Sequence, residues 1–288
     1  MEEKIVCGNE ELSGLPEYIF STGNYPVPDC YLKAEYIVPI AKTMREHEGK
    51  NLCEIPFCQT AEVEMLHGSI NNATDGGGPR VGQQAYKKLE ELPMDQPLKL
   101  DGLFGEVKKS LKTLKEQGEK TMLILSGPVS ILSGLVPLQK VFVARRKEPA
   151  LYEKAICWVT EALLFYLEEV KDYVDVLSYA DSAGSVDLLG EPVAVEMAEL
   201  SYLPVLAKAM EYGMHVHLCP KLTATLLAGD FATREQLPVE KSLTYQEAIL
   251  SGPTNVLYAH RCIKQSENGW NKGIILVLEP TWEKWNGK

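Results

Sequence analysis

Residues 214–220, MHVHLCP, set His215, His217 and Cys219 at every second position. In an extended strand alternate side chains share a face, so the three point the same way, with Cys219 nearest the strand's C-terminal end. Imidazole nitrogen and thiolate sulfur are ligands that zinc takes in tetrahedral geometry, and three protein ligands leave the fourth position for a substrate. The spacing returns at residues 259–262, AHRC, where His260 and Cys262 again stand two apart. One His-x-Cys pair alone is more simply read as a hydrogen-bonded histidine and a small buried thiol. Two such pairs, at the ends of predicted strands in a chain with five His and seven Cys, point to zinc. The spacing does not say which histidine binds. His215 lies deepest and is expected to be a packed, supporting residue; His260 is evenly balanced between ligand and support.

A second constellation is YADSAGSVDLLGE, 179–191. Asp181 stands just past a predicted strand, followed by small residues that would let a ligand approach. An acid there could orient a substrate, move a proton or occupy the metal's open position. The plainer reading is a helix cap or loop hydrogen bond, which also suits Asp187. In SGPVSIL, 126–132, Gly and Pro directly follow a strand, as a turn or as a backbone edge facing a pocket. Residues 56–68 hold Cys58, Glu62, Glu64 and His67. Cys53 and Cys58 lie an odd number apart and so fall on opposite strand faces; Glu62 and Glu64 are expected to be solvated helix residues. Arg145 or Arg146 could hold an anionic group, although a solvated helix end explains them as simply. There is no Ser-His-Asp set and no His-Glu-x-x-His motif.

These residues need a scaffold, and the surrounding sequence supplies one by alternation. TMLILSGP (121–128) is a short apolar run ended by Ser-Gly-Pro, as expected of a buried parallel strand. A helix follows, with Ile156, Val159, Leu163, Tyr166 and Val170 along one face. Residues 174–185 read as strand and polar loop, and 196–213 as a helix with Gly213 as its C-terminal cap. MHVHLCP is the next strand, TYQEAIL a short helix, and TNVLYAHRC (254–262) and GIILVLEP (273–280) two more strands. NLCEIPF (51–57) is an earlier one. Strand, polar loop, helix, strand is the mark of parallel βα units. The glycine patterns of a dinucleotide fold and of a P-loop are both missing from the sequence. The expected architecture is therefore α/β, a (β/α)8 TIM-type barrel with its chemistry at the C-terminal ends of the strands. It would form a single domain over 1–288, with residues 1–50 as an N-terminal extension packed on the barrel.

The chain has 288 residues, 45% hydrophobic and 24% charged, with a formal net charge of -11. That acidity disfavours nucleic acid and anionic membranes as partners. No run approaches the ~20 apolar residues of a membrane span, and the N-terminal stretch lacks a basic flank followed by an apolar run. A cytoplasmic protein with free or metal-bound thiols is expected. Residues 71–82, NNATDGGGPRVG, read as a glycine-rich mobile loop.

Taken in order, LSGPVSIL, LSYADSAGSVDLL and HVHLC resemble segments of the uroporphyrinogen decarboxylase superfamily, and within it the corrinoid-dependent methyltransferases of the methylcobamide:coenzyme M type. The resemblance runs loosely from about Pro56 to Leu278. It implies a (β/α)8 barrel, zinc held by His217, Cys219 and the later Cys262, and Asp181 as the acidic pocket residue. It also implies a methyl-corrinoid co-substrate, either methylcobalamin or a corrinoid protein, and a methyl acceptor such as coenzyme M, another thiol or tetrahydrofolate. A metal-free tetrapyrrole decarboxylase and a non-catalytic corrinoid- or metal-binding partner are the alternatives. The decarboxylase's arginine-rich N-terminal motif is not found in this sequence. Only 42 residues separate Cys219 from Cys262, fewer than the family suggests, so a shortened or missing βα unit is expected.

Overall fold

The computed structural model describes residues 14–72, 77–264, 270 and 272–285. Cys7 and residues 73–76 of the glycine-rich loop lie outside the described residues. Among the described residues nine strands are formed: β1 Cys53–Ile55, β2 Ile70–Asn72, β3 Pro79–Val81, β4 Thr121–Ser126, β5 Val176–Ala180, β6 His215–Leu218, β7 Ala232–Pro238, β8 Leu257–Tyr258 and β9 Ile274–Pro280. Seven of them make one sheet in the order β1-β4-β5-β6-β8-β9-β7, while β2 and β3 pair separately. The run from β1 through β4, β5 and β6 to β8 is parallel.

The parallel strands are buried on both faces, which is why β4 reads as an unbroken apolar run rather than an alternating one. Leu123, Leu125, Leu177, Tyr179, Val216 and Leu218 point into the larger core, shared with the helices Leu103–Glu116, Pro149–Val170 and Leu203–Glu211. Met122, Ile124 and Val176, one residue out of phase, point into a smaller core with Tyr245, Ile249, Tyr258 and Trp270. Within 1–50, the helix Ala34–His47 buries Ile37, Ile40 and Ala41 in the larger core.

The expected barrel is where the structure departs from the sequence reading. A (β/α)8 barrel closes eight parallel strands on themselves. Here β9 runs antiparallel to both β8 and β7, and β1 and β7 are the two ends of the sheet. A closed barrel of eight parallel strands is thus not seen among the described residues. The difference falls in the stretch after Cys219. It holds one helix, Pro220–Ala228, then β7, whose mostly exposed residues suit an edge, then the helix Tyr245–Ser251.

That second helix covers the smaller-core face and reaches the edge at β1. Gln246 Oε1 accepts from the backbone N–H groups of Asn51 (2.9 Å) and Leu52 (3.0 Å), and its Nε2 donates to Glu54 at 2.9 Å. A capping box between Thr244 and Glu247 fixes the helix start. A side chain thus satisfies two backbone donors just ahead of the edge strand β1.

Candidate metal ligands and the acid at the strand ends

His217 lies on β6, 1% exposed, in register with Ser178 of β5. Its Nε2 is 3.0 Å from the carbonyl oxygen of Arg261 and its Nδ1 is 3.1 Å from Ser178 Oγ. A carbonyl can only accept, so Nε2 carries the proton and Nδ1 accepts from the serine hydroxyl. The tautomer is assigned from these partners. Burial holds the ring's pKa down at about 4, so it is neutral at ordinary pH.

His260 has the same tautomer for a different reason. Its Nδ1 accepts the backbone N–H of Leu276 at 3.0 Å, and an amide N–H can only donate. His217, His260, Tyr245 and Trp270 form one aromatic cluster on the smaller-core face, with centroid distances of 5.3–6.2 Å. His215 is part-buried beside Tyr258, 6.1 Å between centroids, and burial lowers its pKa.

The cysteines do not continue the strands. β6 ends at Leu218, and Cys219 becomes the residue before the helix Pro220–Ala228, packed against the larger core. β8 ends at Tyr258, so AHRC is not strand and the two-apart rule no longer sets the side-chain directions of His260 and Cys262. Among the described residues, no three His, Cys, Asp or Glu side chains come together as a metal site. The residues implied by the resemblance therefore do not fit zinc as they stand. The histidine lone pairs are committed to protein donors, and His217, Cys219 and Cys262 do not converge.

Asp181 is fully buried and ties the loop after β5 to the first turn of the helix Pro128–Leu135 that follows β4. Its Oδ1 accepts from the Ser130 N–H (2.9 Å), Ser130 Oγ (2.7 Å) and the Gly184 N–H (3.1 Å). Its Oδ2 accepts from the Val129 N–H (2.9 Å) and Tyr202 Oη (3.0 Å). Burial pushes this carboxyl up, and the hydrogen bonds pull it back. Glycine is required on both sides. A Cβ on Gly127 would lie 2.5 Å from Asp181 Cβ, and one on Gly184 would lie 2.0 Å from Tyr202 Oη. The motifs SGP and ADSAG are thus two halves of one locked junction. Tyr202 and Tyr179 belong to the larger core, so Asp181 is held from the side opposite His217.

Other residues singled out in the sequence separate in the same way. Arg145 Nε is bound to Glu196 at 2.7 Å, which neutralises it. Glu64 accepts from Lys99 (3.0 Å) and from the Leu103 N–H (2.8 Å). Glu62 is not solvated as expected: it is 1% exposed, and its Oε1 accepts from the Ser126 N–H at 2.8 Å. Its helix, Ala61–Met65, is too short for a face to be read from periodicity. Gln246 also went unread, although the Thr244-x-x-Glu247 pattern beside it marks the helix start.

No family model matches the chain. It is 25% identical over 221 residues to methylcobamide:CoM methyltransferase MtaA of Methanosarcina barkeri, a match covering 75% of this chain and 65% of the relative. The corresponding protein of strain Fusaro matches to the same extent. The chain thus spans about two-thirds of the length of these relatives. A solved methyltransferase from Methanosarcina mazei shares the fold, with a TM-score of 0.61, 23% identity, and coverage of 73% of this chain and 64% of that one. By sequence, then, the chain is similar to methylcobamide:CoM methyltransferases, in keeping with the resemblance of its motif order.

Proposed function

We propose that the chain engages a methyl-corrinoid and serves methyl transfer to an acceptor thiol of the coenzyme M kind. The observation that carries this is the Asp181 junction, in which the two motifs of the resemblance fold into one rigid edge at the C-terminal ends of β4 and β5. In such a transfer the acceptor's nucleophilic atom attacks the methyl carbon in line. The cobalt–carbon electron pair stays on cobalt, taking Co(III) to Co(I), and the acceptor's proton leaves to solvent. The protein's part is to hold donor and acceptor in line and to exclude water. Asp181 contributes as a positioning residue: with its oxygens engaged by five donors, it fixes the loop after β5 on the helix after β4 rather than exchanging protons. The open sheet is read here as a barrel reduced by the shortened stretch after β6, within a single unit to which residues 14–50 add a packed extension.

A second reading, a corrinoid-binding partner without turnover, is favoured by the committed lone pairs of His217 and His260. Metal-free decarboxylation has less support, because Asp181's donors are Val129, Ser130, Gly184 and Tyr202 and include no arginine.

Methylcobalamin mixed with the protein and a panel of thiols, with tetrahydrofolate alongside, separates the readings. Loss of the methyl-cobalt absorbance with one acceptor supports transfer. Saturable binding without that loss supports the partner reading. Neither binding nor loss rejects both.

A further inference from the structure

The histidines of the two His-x-Cys motifs do something definite in this fold. β8 pairs for only two residues, Leu257 and Tyr258, so the backbone ladder on both sides of it stops early. Beyond that point the carbonyl of Arg261 and the N–H of Leu276 need partners, because an unpaired buried backbone group is costly. The side chains of His217 and His260 supply them. His217 also takes the hydroxyl of Ser178 from the neighbouring strand, so one ring joins β5, β6 and the segment after β8.

Each ring needs the same neutral tautomer for this task, with the proton on Nε2 and the lone pair on Nδ1 turned toward a protein donor. Zinc binds an imidazole through a lone pair. For His217 to ligate, it would have to abandon Ser178 through Nδ1, or shift its proton and leave the Arg261 carbonyl through Nε2. Neither histidine forms a three-ligand group with Cys219 and Cys262 among the described residues.

We infer that in this chain His217 and His260 are hydrogen-bond struts that replace missing sheet ladder, and that the paired His-x-Cys motifs hold no zinc. The inference is independent of the proposed methyl transfer, because none of its readouts is an activity.

The test uses the full chain. Nitrogen-15 spectra of the histidine rings are expected to show protonated Nε2 and unprotonated Nδ1 for both residues, unchanged by equimolar Zn2+. Metal analysis of the purified protein is expected to find well below one zinc per chain, or zinc whose content Cys219→Ser and Cys262→Ser leave unchanged. Both cysteines are part-exposed, and the substitutions are expected to keep the fold, as read by circular dichroism. His217→Gln keeps a donor for Arg261 and is expected to fold, as read by circular dichroism, whereas His217→Leu is expected to lose cooperativity. One zinc per chain that disappears in folded Cys219→Ser, Cys262→Ser or His217→Gln protein overturns the inference. So does a zinc-induced shift of Nδ1 or Nε2 of His217.

Discussion

Ser178 and His217 stand directly opposite each other on neighbouring parallel strands, and the serine hydroxyl supplies the proton that the buried ring's Nδ1 accepts at 3.1 Å. This pairing and the Arg261 carbonyl on the other nitrogen set the tautomer. Burial makes the neutral ring the form the folded protein selects, against the Arg261 hydrogen bond, which favours the charged form. Its pKa falls from 6.5 to about 4 because burial opposes the charged form. Between those values the unfolded chain binds a proton that the folded chain does not. Stability is therefore fully present above the unfolded value and is lost as pH falls through the window. The full loss for this one ring is about 3 kcal/mol. His215, also shifted down by burial, adds in the same direction. Urea midpoints measured from pH 7.5 down to pH ~4 should fall in the wild type and fall less in His217→Gln. An equal slope in both would remove His217 as the source.

How much of this was legible follows from where the local signal is strong. β4, β5, β6, the helix Pro149–Val170 and the helix Tyr245–Ser251 stand where apolar runs and turn residues put them. The antiparallel return of β9 was not legible, because a strand's direction is set by its connection and not by its own residues. β7, ATREQLP, carries too little apolar character to be read as a strand; it is an edge paired on β9. The side-chain directions of the two His-x-Cys pairs were not legible for a related reason. The His-x-Cys spacing has its geometric meaning only while the strand lasts, and β6 and β8 both end before their cysteines. The order of the motifs pointed to the right relatives, since order does not depend on such local detail.

Asp181→Asn tests whether that carboxylate is a structural junction. Both oxygens now accept only, from five donors in all. An amide nitrogen on either side would face a backbone N–H and leave it unpaired. The expected cost is about 1–3 kcal/mol of stability, read in urea, even in protein that has no substrate. Gly127→Ala should cost a similar amount by overpacking, since its Cβ would meet Asp181 within 2.5 Å. Wild-type stability in Asp181→Asn would show that the acid is free to serve chemistry instead.

Glu62 makes the opposite prediction. One carboxyl oxygen is bonded to Ser126 N–H, the other has no partner among the described residues, and burial raises the pKa above 4.5. Between the ordinary and the raised value the folded chain holds a proton that the unfolded chain releases. Stability from this group therefore falls as pH rises through that window. Glu62→Gln keeps an acceptor for Ser126 and removes the cost of charge. It is expected to match or exceed wild-type stability at pH 8, with the difference shrinking toward pH 5. A variant less stable at pH 8 than at pH 5, relative to wild type, would mean that the carboxylate is charged and paired.

Gln246 carries the last prediction, because its side chain closes two backbone donors beside the edge strand β1. It satisfies the N–H groups of Asn51 and Leu52 and ties itself to Glu54. Gln246→Ala leaves two backbone donors at the edge of the smaller core without their acceptor, at an expected cost of about 2–4 kcal/mol. Gln246→Glu restores the acceptor for both donors but places a second carboxylate where Gln246 Nε2 now lies 2.9 Å from Glu54. It should recover stability below the carboxylate range and lose it at neutral pH. Amide exchange at Asn51 and Leu52 reports the contact directly. Faster exchange confined to this edge in Gln246→Ala is the expected pattern, and unchanged protection there would show that the helix Tyr245–Ser251 does not close the sheet.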